Sequence, residues 1–287
     1  MTEFLRDKRQ VSQQFNRAAR CYDSAATVQQ QAADTLLDLL QEQHLPLNGH
    51  WADIGCGTGY SFASLLKLGA GQVSGIDLAS GMLETAAARK LPNIQLIQAD
   101  ADDLPLATDS QDGIFSSLMI QWSEHPQHTL QEWARVLKPG GTLAIATLLP
   151  GTHRELQTAW RKIDNFRHVN PFTSQHELTR SLFAAGLVMT RLHQHQIQPL
   201  YSNMSELLHT LKAIGATNVN QGRRPGLAGR ALLRALDQHY PRNADGRLPL
   251  SYEVCWLLAT KQPGYETAPN HRPWMEPYRR HQGKIPT

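Results

Sequence analysis

An apolar run, Trp51-Ala52-Asp53-Ile54, ends in three alternate glycines, Gly55, Gly57 and Gly59, which open a second apolar segment. Such a stretch makes a strand stop and the chain turn tightly, with something approaching the backbone too closely for any Cβ. A glycine turn between strand and helix is a mark of nucleotide sites, but alone it is weak evidence. Its spacing is more telling. G-x-G-x-G with an acid two residues ahead is not the G-x-G-x-x-G of dinucleotide sites. No Lys-Ser or Lys-Thr follows, as a triphosphate-cradling loop would need. The loop suits a ligand whose polar end is not a pyrophosphate.

The next segments extend the pattern. Gln72–Asp77 is a short β-type run whose final carboxylate is placed to accept hydrogen bonds from ribose hydroxyls. NAD sites and S-adenosylmethionine sites share that feature. A third strand, 94–98, runs into Ala99-Asp100-Ala101, where an acid can accept a bond from an adenine amino group. A fourth spans 113–118, and Leu137-Lys138-Pro139-Gly140-Gly141 supplies a turn into a fifth, 142–147. Strands separated by helix-length segments predict a parallel sheet with helices on both faces.

The D-x-G-x-G-x-G loop, Asp77, Asp100 and the L-K-P-G-G turn, in that order over residues 48–150, resemble the class I S-adenosylmethionine-dependent methyltransferases. The resemblance implies an α/β fold, a doubly wound, Rossmann-like sheet of seven strands ending in an antiparallel pair. The candidates for that pair are 187–195 and 252–259, and the fifty or so residues between them exceed what a hairpin needs. Two helices, 203–214 and 226–239, are expected in this insertion, beyond the carboxyl ends of the strands, where it can act as a lid. The implied cofactor is S-adenosylmethionine, held by Asp53, Gly55, Cys56, Gly57, Gly59, Asp77, Leu78, Asp100, Ala101 and Ser117. It carries a sulfonium cation and no phosphate, so glycines serve close packing and carboxylates replace an anion cradle.

Composition bounds the rest. With 287 residues, 41% hydrophobic and 18% charged, the chain reads as an ordinary globular protein of one large or two modest domains. The polar first residues lack a signal-peptide apolar region, and no apolar run reaches membrane-spanning length. Cys21, Cys56 and Cys255 show no C-x-x-C spacing, which fits a reducing, cytoplasmic setting, with Cys56 a small packing residue. Of the thirteen histidines, His125/His128 and His193/His195 come in close pairs; the second pair sits at strand spacing, on one face, but has no cysteine or carboxylate at ligand distance, and no metal is expected. A net charge of +3 is too small for a nucleic-acid footprint. Yet 207–236 holds Lys212, Arg223, Arg224, Arg230 and Arg234 with no acid, either a solvated face or a docking surface for an acidic partner.

Further segments resemble the malonyl-acyl carrier protein O-methyltransferases of biotin synthesis: Phe15-Asn16-Arg17-Ala18-Ala19-Arg20-Cys21-Tyr22-Asp23, the 116–122 stretch ending in Gln121-Trp122, and Leu211-Lys212-Ala213-Ile214-Gly215-Ala216-Thr217-Asn218 followed by Gly222-Arg223. This implies methyl transfer to the free carboxylate of a malonyl thioester, with acyl carrier protein as partner. Tyr22, Trp122 and Lys212 become candidates for the substrate site, and Arg223, Arg224, Arg230 and Arg234 for partner docking. The expected organisation is a helical cover (1–47), a cofactor-binding core (48–200), a helical lid (201–250), the last strand (251–260) and an irregular tail (261–287). A methyltransferase for another small acid or quinone precursor, and a non-enzymatic cofactor-binding docking protein, remain alternatives.

Overall fold

The computed structural model describes residues 7–43, 47–215 and 229–264. Three helices come first: α1 (Lys8–Ala18), α2 (Tyr22–Ala25) and α3 (Thr27–Gln41). Strand–helix alternation follows with β1 (His50–Ile54), α4 (Phe62–Lys67), β2 (Gln72–Asp77), α5 (Ser80–Ala87), β3 (Ile94–Gln98) and β4 (Gln111–Ser117). A 3₁₀ turn at Ile120–Trp122 leads to α6 (Pro126–Val136), β5 (Leu137–Leu148), α7 (Arg154–Arg161) and α8 (Gln175–Ala184). The chain then forms β6 (Leu187–Ile197), β7 (Leu200–Tyr201), α9 (Met204–Ala213), α10 (Arg230–His239), β8 (Leu248–Pro249) and β9 (Tyr252–Lys261).

Seven strands make one sheet in the order β3-β2-β1-β4-β5-β9-β6. The first five run parallel, and β9 is antiparallel to both β5 and β6. This is the expected doubly wound sheet closed by an antiparallel pair. Order reverses beside β1, so a crevice opens between the carboxyl ends of β1 and β4, the position where open α/β sheets bind ligands.

The inner strands β1, β2, β4, β5 and β9 are buried on both faces and so are largely apolar, while the edge strands β3 and β6 are more exposed and carry polar residues. Trp51, Phe115, Ala144, Ala146, Trp256 and Leu258 pack on one side with α3. Ala52, Ile54, Ile114, Ile145, Leu257 and Ala259 face the other, against α6 and α8. Trp256 fills the first layer, its indole Nε1 donating to the Ala32 carbonyl at 2.8 Å and so tying α3 to the sheet. The Lys138–Gly141 turn, expected to precede β5, lies within it instead. Gln111 pairs with Leu137 and Gly113 with Thr142, so the intervening residues bulge out, with Gly140 at φ +79°.

The two helices of the insertion form where the described chain allows them to be seen, as α9 and α10. Their ends are drawn together by β7 and β8, an antiparallel ribbon that the sequence reading did not anticipate, pairing Leu200 with Pro249 and Tyr201 with Leu248. The segment holding α7 and α8 was likewise unassigned from sequence. The expected tail falls outside the described residues from 265 onward.

Candidate active site

A long cavity runs across the carboxyl ends of β1–β5, roofed by α1, α2 and α3 and closed at its far end by the segment after β5 and by Ile214. Its floor at one end is the glycine loop. Gly57 has a left-handed backbone, φ +53°, and a Cβ built there meets no protein atom within 4 Å. The conformation and the open space together leave room for a ligand to approach the backbone. Gly55 is also left-handed, but its missing Cβ makes way for Met119.

Three carboxylates sit at successive strand ends. Asp53, at 2% exposure, accepts a hydrogen bond from Ser61 Oγ at 2.5 Å. Burial pushes its carboxyl up to about 7, against the lowering effect of Ser61, with Asp77 adding to the rise. Asp77 accepts from the Gly57 amide at 2.9 Å and the Ala79 amide at 2.8 Å. Burial raises it above the usual carboxylate range despite those amides. Asp100 accepts from Lys8 Nζ at 2.8 and 2.7 Å, and Asp102 accepts from the same ammonium at 2.6 Å. Asp100 Oδ1 also accepts from the Asp102 amide at 3.0 Å, and since a carboxylate has about four acceptor positions, one is left for a ligand donor.

Leu78, Ala101 and Ser117 also line the cavity, while Cys56 lines a smaller adjoining pocket with Asp53 and Thr58. The Cys56 thiol is pushed well above its ordinary value by burial and then by Asp53 and Asp77, which leaves it protonated. Gly59 borders neither space and backs onto the Phe62 ring instead. Two buried polar atoms of the lining, Ser117 Oγ and Gln29 Oε1, have no hydrogen-bond partner. Orphaned buried groups are costly, and their convergence on one cavity is the signature of a ligand that completes them.

The N-terminal segment is built into this site. Asn16 Oδ1 accepts from the Gly81 amide at 2.7 Å, satisfying the first turn of α5. Asp23 accepts from Thr58 Oγ1 at 2.6 Å and from Arg89 at 2.7 Å, which pins α2 to the glycine loop. Tyr22, half-buried on that helix, lines the cavity, and its hydroxyl is raised by burial and then by Asp77 and Asp23. Phe15 meets Trp122 edge to face, centroids 5.3 Å apart, and both rings wall the middle of the cavity.

Other candidates lie elsewhere. Lys212 is exposed on α9 and does not line the cavity. Arg230 and Arg234 are exposed on α10, and Arg223 and Arg224 lie outside the described residues. Sequence reasoning missed His153 and the stretch from His168 to Phe172, which close the far end. The His168 ring stacks on Trp160 at 3.7 Å and its Nε2 meets Asp164 at 2.7 Å. Nothing in the spacing of a single histidine in an irregular segment could have flagged either one. Among the described residues, no group of three His, Cys, Asp or Glu side chains could hold a metal ion, and no helix is long and apolar enough to cross a membrane.

Residues 52–145 match a methyltransferase domain model. The malonyl-[acyl-carrier protein] O-methyltransferase of Laribacter hongkongensis is 39% identical over 89% of this chain and 90% of its own length. That of Yersinia pestis is 37% identical over 87% of this chain and 90% of its own. The biotin biosynthesis bifunctional protein BioHC of Cellvibrio japonicus is 41% identical, and there the chain spans only 50% of the relative's length. Among solved structures, the YcgJ protein of Bacillus subtilis shares the fold, with a TM-score of 0.61 at 17% identity over 80% of this chain and all of that one. The [4+2]-cyclase SpnF shares it too, with a TM-score of 0.53 at 22% identity over 82% of each chain, so the fold alone does not specify methyl transfer.

Proposed function

Because the chain belongs to the malonyl-[acyl-carrier protein] O-methyltransferase family, we propose that it methylates the free carboxylate of a malonyl group carried on acyl carrier protein, giving an ester-ended primer for biotin synthesis. The observation that carries this is the continuity of the cavity. One end is lined by strand-end acids and glycine backbone, the other by aromatic rings and uncharged polar groups.

S-adenosylmethionine fits the first end. Asp77 would take the ribose hydroxyls and Asp100 the adenine edge, with Leu78 and Ala101 beside the ring. Gly55, Gly57 and Ser117 would lie along the amino-acid end, and Asp53 near its ammonium. The cofactor supplies a sulfonium methyl open to in-line displacement by a carboxylate. The chain's part is to align and dehydrate the nucleophile, an effect worth on the order of 7–11 kcal/mol. No general base is required, because a malonyl carboxyl of pKa roughly 4 is already ionised at neutral pH. Tyr22 and Trp122 would shield the reacting atoms from water, and Phe15 holds Trp122 in place.

The insertion serves as lid and docking surface, and the helices before β1 as cover. Lys212, being exposed, is assigned to the phosphopantetheine phosphate or the carrier surface rather than to the carboxylate. Arg230 and Arg234, with Arg223 and Arg224, would steer an acidic carrier protein. We place this activity in the cytoplasm, in keeping with three cysteines that form no disulfide among the described residues. The test compares kcat/KM for malonyl-carrier protein, malonyl-CoA and free malonate at low and high salt. Preference for the carrier that weakens with salt supports the proposal, and equal turnover of free malonate defeats it.

A further inference from the structure

His153 stands where β5 gives way to α7, on the far side of β4 from the three cofactor-end acids. Its backbone is left-handed, φ 58° and ψ 29°, a conformation that costs most residues other than Gly and Asn about 1–2 kcal/mol. Its amide donates to the Ser251 carbonyl at 2.7 Å, and its carbonyl accepts from Gln157 at 2.9 Å, so the bend is held from both sides. The ring stands edge to face against Tyr252, centroids 4.6 Å apart, and against Phe172 at 6.5 Å. At 8% exposure it lines the cavity, and its Nε2 has no hydrogen-bond partner. Strained backbone, fixed ring and orphaned nitrogen converge on one atom.

A ligand in the cavity could satisfy that atom. The malonyl group offers only acceptors, so the imidazole that meets it must carry its proton on Nε2. From these contacts, and building on the methyl-transfer function above, we infer that His153 Nε2–H donates to the malonyl carboxylate and so selects acyl groups ending in a carboxylate. Burial lowers the ring's pKa to about 4, keeping it uncharged at neutral pH. A neutral donor orients the carboxylate without an ion pair that would blunt its attack. Lys8, the one cationic side chain in the described lining besides histidines, is already held by Asp100 and Asp102.

Two variants separate contact from packing. His153→Asn tolerates the left-handed backbone but falls short of Nε2. His153→Gln places an N–H close to the original position. Each full-length variant is measured for S-adenosylhomocysteine binding, for kcat/KM with malonyl-carrier protein, and for affinity toward malonyl- and acetyl-carrier protein. Loss of a hydrogen bond to a charged group should lower kcat/KM roughly ten- to a hundredfold in His153→Asn. His153→Gln should recover most of it, cofactor binding should hold within about twofold, and the binding loss should fall on malonyl- but not acetyl-carrier protein. Equal losses for both carriers, or activity unchanged in both variants, would overturn the assignment. A wild-type protein that binds the cofactor yet leaves malonyl-carrier protein unmethylated would remove the underlying function as well, and is seen separately.

Discussion

Lys8 donates to both oxygens of Asp100, at 2.8 and 2.7 Å, across 92 residues of sequence. The same ammonium reaches Asp102, so the first turn of α1 is fastened to the loop after β3. Burial alone would depress Lys8, but Asp102 and Asp100 more than offset it and hold it above the ordinary lysine range. The roof of the cavity is thus latched at the end lined by Asp77 and Asp100, where the proposed site would hold the adenosine.

Lys8→Met should loosen that latch while keeping the apolar stem. The pair is partly exposed, its side chains 31% and 35% accessible, so its worth is about 1 kcal/mol. S-adenosylhomocysteine affinity, read by calorimetry, should fall roughly three- to tenfold. Unchanged affinity would mean that α1 does not cover the cofactor.

Gly57→Ala and Gly55→Ala should fail in different ways. At Gly57 the added methyl meets no protein atom, so stability should drop by about 1–2 kcal/mol from left-handed strain, while cofactor binding is largely lost. At Gly55 the methyl collides with Met119, and unfolding should dominate. Thermal melts beside binding isotherms distinguish the two.

Asp53 should give the protein a pH-dependent weakness. With its folded value near 7 against about 3.8 when unfolded, the folded state keeps a proton between those limits that the unfolded chain releases. Stability therefore falls as pH rises from about 4 to about 7, and the penalty is complete above that. His153, depressed to about 4, acts oppositely, its contribution being lost as pH falls through the same window. The difference between Asp53→Asn and wild type isolates the aspartate. It should grow with pH to ~2–4 kcal/mol in favour of the variant. A flat difference would contradict a protonated, buried Asp53.

Arg230→Glu with Arg234→Glu should raise KM for malonyl-carrier protein several-fold at low salt and leave S-adenosylhomocysteine binding alone, since both side chains project from α10 into solvent. High salt should erase most of the difference.

The cofactor half of the fold was legible because its chemistry is periodic. Apolar runs stop at glycines, and acids follow at the strand ends, so β1 to β5 and Asp53, Asp77 and Asp100 announce themselves. The motif from Phe15 to Asp23 was legible as a resemblance, and its physical logic lies in long-range contacts: Asn16 with Gly81, Asp23 with Thr58. The far end was not legible. His153 owes its position to a left-handed bend held by Ser251, nearly a hundred residues later, and no local pattern encodes that. Lys212 drew notice through its motif, but its place on α9 turns it outward. The β7–β8 ribbon escaped because two-residue strands carry no periodicity.

The most direct test is the product itself. Malonyl-carrier protein incubated with the enzyme and S-adenosylmethionine should gain the mass of one CH2, a methyl group replacing the carboxyl proton, and alkali should release the transferred carbon as methanol. Transferred carbon retained in the released acid with no methanol formed, or no gain in mass despite measured cofactor binding, would contradict methyl transfer to the malonyl carboxylate.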